Sequence, residues 1–135
     1  MRWAIVTAGI FAATGALADD AGARPDVAVE LRCPGSQGIG RVRCMVEAIP
    51  EGGRTISWAD VVVVRTPPFA TPLRGRLAPG DALDQASDRW RWEFALAART
   101  RGRGDVTVRV RAVVCDHGAC GAWQREVTAP LVVGE

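Results

Sequence analysis

A strict alternation of apolar and polar residues, with a period of two, is the feature of this chain that most limits its fold. From Trp90 to Leu96 every second residue is aromatic or aliphatic, and Arg91 and Glu93 lie between them. From 106 to 114 every second residue is valine or alanine. This period is typical of strands that bury one face. The aromatic face predicts a core position, and a sugar-binding or partner-binding platform is the alternative.

Several other segments have the character of short strands separated by turns. The patterns predict strands over 26–33, 41–48, 55–64 and 124–133, and no amphipathic helical segment of useful length is found. Three prolines between Thr66 and Pro72 predict a loop with Phe69 at its tip. We therefore expect an all-β fold, an immunoglobulin-like antiparallel β-sandwich of about seven strands.

The N-terminus has the pattern of a secretory signal peptide. Arg2 is followed by a short apolar stretch and then by Ala16-Leu17-Ala18, the small-residue pattern at which signal peptidase cleaves. We assign 1–18 to a signal peptide and 19–135 to a single domain. The stretch is too short to span a bilayer, so no membrane span is expected in the mature chain. A buried N-terminal helix of a cytosolic protein is the alternative.

The charge pattern excludes one class of partner. All 17 basic residues are arginine, they are scattered among 15 acidic residues, and the formal net charge is +2. A nucleic-acid binder needs a concentrated excess of positive charge, so no nucleic-acid partner is expected. The sequence contains no cofactor-binding motif, and no cofactor is expected.

The four cysteines differ in their position on the predicted strands. Cys33 and Cys44 lie on apolar faces, whereas Cys115 and Cys120 bracket the connection between the last two strands. Export places them in an oxidising compartment, where disulfides are common. Four cysteines allow three pairings. Proximity in sequence and the parity of the faces favour Cys33 with Cys44 and Cys115 with Cys120.

The two expected disulfides differ in what they contribute. The Cys33–Cys44 loop of about a dozen residues is worth on the order of 3 kcal/mol as a structural staple. The Cys115–Cys120 loop is shorter and constrains the unfolded chain less, which favours a bridge that is broken and remade. His117, and Arg109 or Arg111 on the outward face, would lower the pKa of a neighbouring thiol, whereas Asp116 would raise it.

Other interpretations of the same residues stay open. Cys115–Cys120 is, alternatively, a purely structural hairpin disulfide with His117 in a solvent-exposed turn. A third alternative is a copper or zinc site formed by both sulfurs and the imidazole of His117. No second Cys/His group is close in sequence to complete a structural zinc site, and no metal is expected. A Ser/His/Asp hydrolase would have to use His117, because it is the one histidine in the chain.

The segment from Trp90 to Val133 resembles the N-terminal periplasmic domain of the DsbD family of thiol:disulfide interchange proteins. The resemblance rests on an aromatic strand, a glycine-containing turn, a valine-rich strand ending at Cys115, a short gap to Cys120, and a closing valine-rich strand. It implies an immunoglobulin-like sandwich in which Cys115 and Cys120 form the redox pair. It also implies that the loop around Phe69 is similar to the aromatic cap loop that shields the family's disulfide.

Two departures from the family accompany this resemblance. Gly121-Ala122 follows the second cysteine where family members usually have a proline, and the chain contains no tyrosine to supply the family's aromatic neighbours. We expect thiol:disulfide exchange with periplasmic redox or accessory proteins, and a separate membrane protein as electron donor. The alternative is a non-catalytic periplasmic interaction domain with two structural disulfides. In either case the protein is expected to be periplasmic or secreted.

Overall fold

The period-two segments form two β-sheets that pack face to face in the computed structural model, which describes residues 26–134. The strands of this range are β1 (Val27–Arg32), β2 (Ser36–Gln37), β3 (Gly40–Pro50), β4 (Thr55–Arg65), β5 (Ala70–Pro72), β6 (Arg76–Leu77), β7 (Asp84–Ala86), β8 (Arg89–Ala98), β9 (Gly102–Asp116) and β10 (Ala119–Val133). A single 3-10 turn covers Pro79–Asp81. No helix in the described range is long and apolar enough to cross a membrane.

The first sheet has the order β1-β3-β8-β5, with β7 also paired to β8. The second sheet has the order β2-β10-β9-β4-β6. All pairs are antiparallel except the short β2, which runs parallel to the end of β10 at Val132 and Val133. The predicted all-β sandwich is confirmed, and the expected seven or so strands correspond to six long strands with four strands of two or three residues.

The core lies between the inward faces of the two sheets. The aromatic face of β8 is buried as predicted, and the rings of Trp90 and Trp92 stack at 5.6 Å between centroids. Opposite them the second sheet contributes mainly valines from β9. The largest fully buried side chains are Trp92, Leu96, Leu131, Val27, Val42, Val46, Val61, Val106, Val108 and Val110. The aromatic side chains of β8 and valines of both sheets fill the interior.

The last hairpin is longer than the sequence pattern predicts. We expected a connection from Cys115 to Trp123, but β9 continues to Asp116 and β10 begins at Ala119. The turn itself consists of His117 and Gly118, whose φ angles of 50° and 83° are both positive, as in a type I′ turn. This turn matches the twist of the strands, so pairing continues up to it. Both cysteines therefore lie within strands.

Candidate functional site

Both predicted cysteine pairs form disulfides, and each joins directly opposed positions on neighbouring antiparallel strands. Cys115 pairs with Cys120 across β9 and β10, with Cα atoms 4.0 Å apart. Cys33 follows β1 in register with Cys44 of β3, and their Cα atoms are 4.1 Å apart. No described cysteine is free. The two bridges thus have the same local geometry and differ in the face of the sheet that they occupy.

The Cys33–Cys44 bridge points into the sandwich. Cys33 is 9% exposed and Cys44 is 1% exposed, and both belong to the core. Side chains on a strand alternate between the two faces, and Cys44 has the same parity as the buried Val42 and Val46. A partner protein has no direct access to sulfurs in this position. The bridge has the position of a structural staple.

The Cys115–Cys120 bridge points outward from the second sheet. Cys115 follows the inward-facing Val114 by one position, so its side chain lies on the solvent side. Thr55 of β4 flanks Cys115 on one side and Cys120 flanks it on the other. Cys115 is half-buried, whereas Cys120 is exposed. Of the four cysteines, Cys120 is therefore the most accessible to a partner thiol.

His117 lies between the two cysteines at the tip of the hairpin. Its side chain is 95% exposed, and Nε2 is 3.4 Å from Oδ1 of Asp116. The imidazole is thus close to the bridge along the chain and contacts an acidic neighbour. Its expected influence on the pKa of a thiol stays a prediction.

Arg54 is a second basic group near the bridge, and the sequence pattern did not reveal it. Its Nε lies 3.6 Å from Oδ2 of Asp116 and 3.4 Å from Oδ1 of Asp26. A carboxylate beside a cysteine disfavours the thiolate. Arg54 offsets the charge of Asp116, but both residues have the parity of the inward-facing Val114, so this ion pair lies on the opposite face of the sheet from the bridge. Arg54 is 61 residues away from Cys115 in sequence, and only the pairing of β4 with β9 brings the two regions together.

The arginines of β9 are occupied elsewhere. Arg111 binds the buried Asp60, and Arg109 donates to Oε1 of Glu126. These two arginines are four and six residues from Cys115, or about 13 and 20 Å along a strand. They do not contact the bridge directly.

An apolar groove lies beside the bridge on the outward face. A β-bulge between Ile56 and Trp58 places Ser57 and Trp58 both on the solvent side, where Trp58 pairs with Val113. Ala122 completes the row on β10, and the groove has a volume of about 480 Å³. This row is one outward position, about 7 Å, from the two cysteines. The break in alternation at Ser57-Trp58 is the sequence signal that could have identified it.

Phe69 lies far from the bridge. Its ring packs against Gly102, where a Cβ atom would come within 2.7 Å of Cε1, and its carbonyl accepts a hydrogen bond from the Arg99 amide. Gly102 begins β9 and Cys115 is near the other end, roughly 40 Å along the strand. The expected aromatic cover over Cys115–Cys120 is therefore not formed by Phe69. The proline-rich loop closes the opposite end of the sandwich.

A metal site needs a set of convergent ligands. In residues 26–134 no group of three or more His, Cys, Asp or Glu side chains is arranged to hold a metal ion. The sulfurs of Cys115 and Cys120 are joined in the disulfide and offer no thiolate to a metal.

The fold and the cysteine geometry define an all-β sandwich with one buried and one outward-facing disulfide. No family model matches this chain, and no curated protein matches it.

Proposed function

We propose that this protein is an exported thiol:disulfide exchange protein that acts through Cys115 and Cys120, as the resemblance to the DsbD N-terminal domain implies. The observation that supports this most directly is the contrast between the two bridges. They share one cross-strand geometry, but Cys33–Cys44 is buried whereas Cys120 is exposed. Accessibility of a sulfur is a requirement for exchange.

The exchange proceeds in two balanced steps. A partner thiolate attacks Sγ of Cys120, the Cys120–Cys115 bond breaks, and Cys115 leaves as a thiolate. A second partner thiolate then attacks the mixed disulfide, so the partner leaves oxidised and this protein keeps both thiols. The reverse sequence passes two electrons from the reduced pair to an oxidised partner. In that direction the second cysteine of the pair resolves the mixed disulfide.

Cys120 is the sulfur that a partner reaches more easily. A thiolate approaches in line with the bond that breaks, from the side opposite the leaving sulfur. For attack at Cys115 that side is occupied by Thr55 of β4. For attack at Cys120 it is the free edge of the second sheet, because in the described chain β2 pairs with β10 only at Val132 and Val133.

We place this activity in the periplasm or the extracellular space. The proposed signal peptide and two disulfides support an oxidising compartment. The partners are periplasmic redox or accessory proteins, and a separate membrane protein supplies electrons. His117 is proposed to adjust the pKa of the exchanging thiols.

Measuring the reduction potential of each bridge in the purified mature protein tests this proposal. The Cys33→Ala/Cys44→Ala variant isolates the outward bridge, and the Cys115→Ala/Cys120→Ala variant isolates the buried one. We expect the outward bridge to have a potential well above about −300 mV and the buried one to lie below it. If both bridges resist reduction, the protein is a non-catalytic accessory domain with two structural disulfides.

A further inference from the structure

The edge of β10 next to Cys120 is open in the described part of the chain. Over Ala119–Leu131, β10 pairs with β9 on one side and has no backbone partner on the other among the described residues. Exposed edges are normally protected by charges, proline or short length. Here Arg125, Glu126 and Pro130 protect the far part, whereas Ala119–Trp123 contains neither charge nor proline.

The backbone of Cys120 points toward this open edge. In an antiparallel pair, opposed residues with Cα atoms about 4.5 Å apart direct their N–H and C=O groups away from each other, and hydrogen-bonded pairs lie about 5.5 Å apart. The Cα separation of Cys115 and Cys120 is 4.0 Å. Pro130, which has the same parity as Cys120, is consistent with this, because a proline in a strand directs its missing N–H toward a free edge. Cys120 and Ala122 thus offer unpaired groups to an added strand.

We infer that this edge binds an extended segment of the exchange partner as an additional strand, with the partner's cysteine opposite Cys120. The inference rests on the exchange function proposed above. A residue opposite Cys120 on an added antiparallel strand has its Cα about 5.5 Å away, within the roughly 4.4–6.8 Å over which disulfides form. The partner sulfur, Cys120 and Cys115 then lie across three neighbouring strands, in the order that in-line attack requires. Strand addition of this kind is a known mode of peptide recognition.

The neighbouring groove indicates what else the partner segment contains. A residue two positions from the partner's cysteine lies beside Ala122, because side chains on one face repeat every second residue. Ala122 is small, so this side chain extends over it toward Val113 and Trp58. An apolar side chain is favoured there. The partner segment is therefore extended, with a cysteine and an apolar residue two positions away.

A short peptide with the same sequence in both directions tests this inference without assuming a strand direction. The probe is Ac-Thr-Val-Thr-Cys-Thr-Val-Thr-NH2, and the rate of mixed-disulfide formation with the oxidised protein is compared with that of glutathione after correction for thiolate content. One control peptide is N-methylated at the Cys and Val amides, and the other at the Thr amides. An N-methyl group on an amide that faces the edge prevents that amide from donating a hydrogen bond to β10. We therefore expect the unmodified peptide to react about ten-fold faster than the control that is methylated on the edge-facing amides.

A matched pair of protein variants tests the same edge. Ala122→Pro removes one edge-directed N–H while leaving the ladder to β9 intact, and Thr128→Pro does the same at the far end of the edge. We expect Ala122→Pro to slow the peptide reaction about five-fold without affecting glutathione, and Thr128→Pro to change neither. Thermal unfolding of both variants verifies that the fold is kept, and the N-methylated peptides provide a test on the unaltered protein.

Failure of the inference is separable from failure of the exchange function. If glutathione opens the bridge but all three peptides react equally fast, exchange stands and edge docking is overturned. If no thiol opens the bridge, exchange is overturned, and docking is judged by binding of the serine version of the peptide. Binding is then detected as slower hydrogen exchange of the Cys120 and Ala122 amides. Protection of these amides in the protein alone would show that the chain itself occupies the edge, which also overturns the inference.

Discussion

Asp60 and Arg111 form a paired ion contact across β4 and β9 in which the carboxylate is completely buried. Nε of Arg111 donates to Oδ1 of Asp60 at 2.8 Å, and Nη2 donates to Oδ2. Nε of Arg76 donates to Oδ2 at 2.7 Å. Burial acts to raise the pKa of Asp60, but the hydrogen bonds and charges of the two arginines outweigh it and hold this pKa below its usual value.

Asp60→Asn should destabilise the fold by about 2 kcal/mol at neutral pH. A fully buried pair costs roughly 3–5 kcal/mol to break, and the value is reduced here because Arg111 and Arg76 remain 43% and 50% exposed. The low pKa of Asp60 adds stability that is complete above about pH 4 and is lost as pH falls through the folded-state pKa. Urea unfolding from pH 7 to pH 2 should therefore show the difference between wild type and variant narrowing below pH 4.

The two disulfides should differ in their contribution to stability. The chain-entropy model gives about 3 kcal/mol for the separation of 11 residues at Cys33–Cys44 and about 2 kcal/mol for the separation of 5 at Cys115–Cys120. Removal of the buried bridge also leaves a cavity in the core, which adds to its cost. Urea unfolding of the Cys33→Ala/Cys44→Ala and Cys115→Ala/Cys120→Ala variants measures the two losses of stability. A larger loss for the second variant would contradict the assignment of Cys33–Cys44 as the main structural disulfide.

Gly102→Ala should destabilise the protein by about 1–3 kcal/mol, because the added Cβ atom would lie 2.7 Å from the Phe69 ring. Gly38→Ala is the matched control, since no atom lies within 4 Å of its Cβ position. Combining Gly102→Ala with Phe69→Leu should cost less than the sum of the two single changes, which thermal unfolding can measure. The reduction potential of Cys115–Cys120 should stay unchanged in Gly102→Ala, and a shift would indicate that Phe69 influences the bridge after all.

His117→Asn should keep or slightly raise stability, by a few tenths of a kcal/mol. The backbone of His117 has φ 50°, and asparagine adopts this region more readily than other residues. His117→Val should instead cost about 1 kcal/mol or more, since a β-branched residue is strained there. Denaturant unfolding of the two variants makes the comparison, and equal stability would argue against the turn geometry.

The sequence was sufficient to predict the six long strands, five from their alternating polarity and β4 from its β-branched residues, whereas the short strands β2, β5, β6 and β7 were not predicted. The buried face of β8 and the assignment of Cys33 and Cys44 to an apolar face both follow from the period of two. The same rule placed Val114 inward, so the outward direction of Cys115 was also implicit. Pairing each cysteine with its nearest cysteine in sequence gave both disulfides of the structure.

The residues around the outward bridge could not be predicted from the period of two. Arg54 approaches Asp116 only through the pairing of β4 with β9, and Trp58 faces outward only because a bulge shifts its parity. Phe69 was placed near the bridge by analogy, whereas the loop packs on the glycines that begin β9. Contacts between distant segments depend on strand order, which local patterning does not determine.

The two-residue turn at His117-Gly118 sets the register of β9 and β10, and so it places Cys115 opposite Cys120 on the outward face. Moving either cysteine by one position along its strand would turn its side chain from the solvent toward the core. If β10 shifted by one position because this turn gained or lost a residue, Cys120 would face the core while Cys115 still faced the solvent, and the two could not form a disulfide. The separation of 5 residues between these two cysteines is therefore as necessary for the outward disulfide as the cysteines themselves.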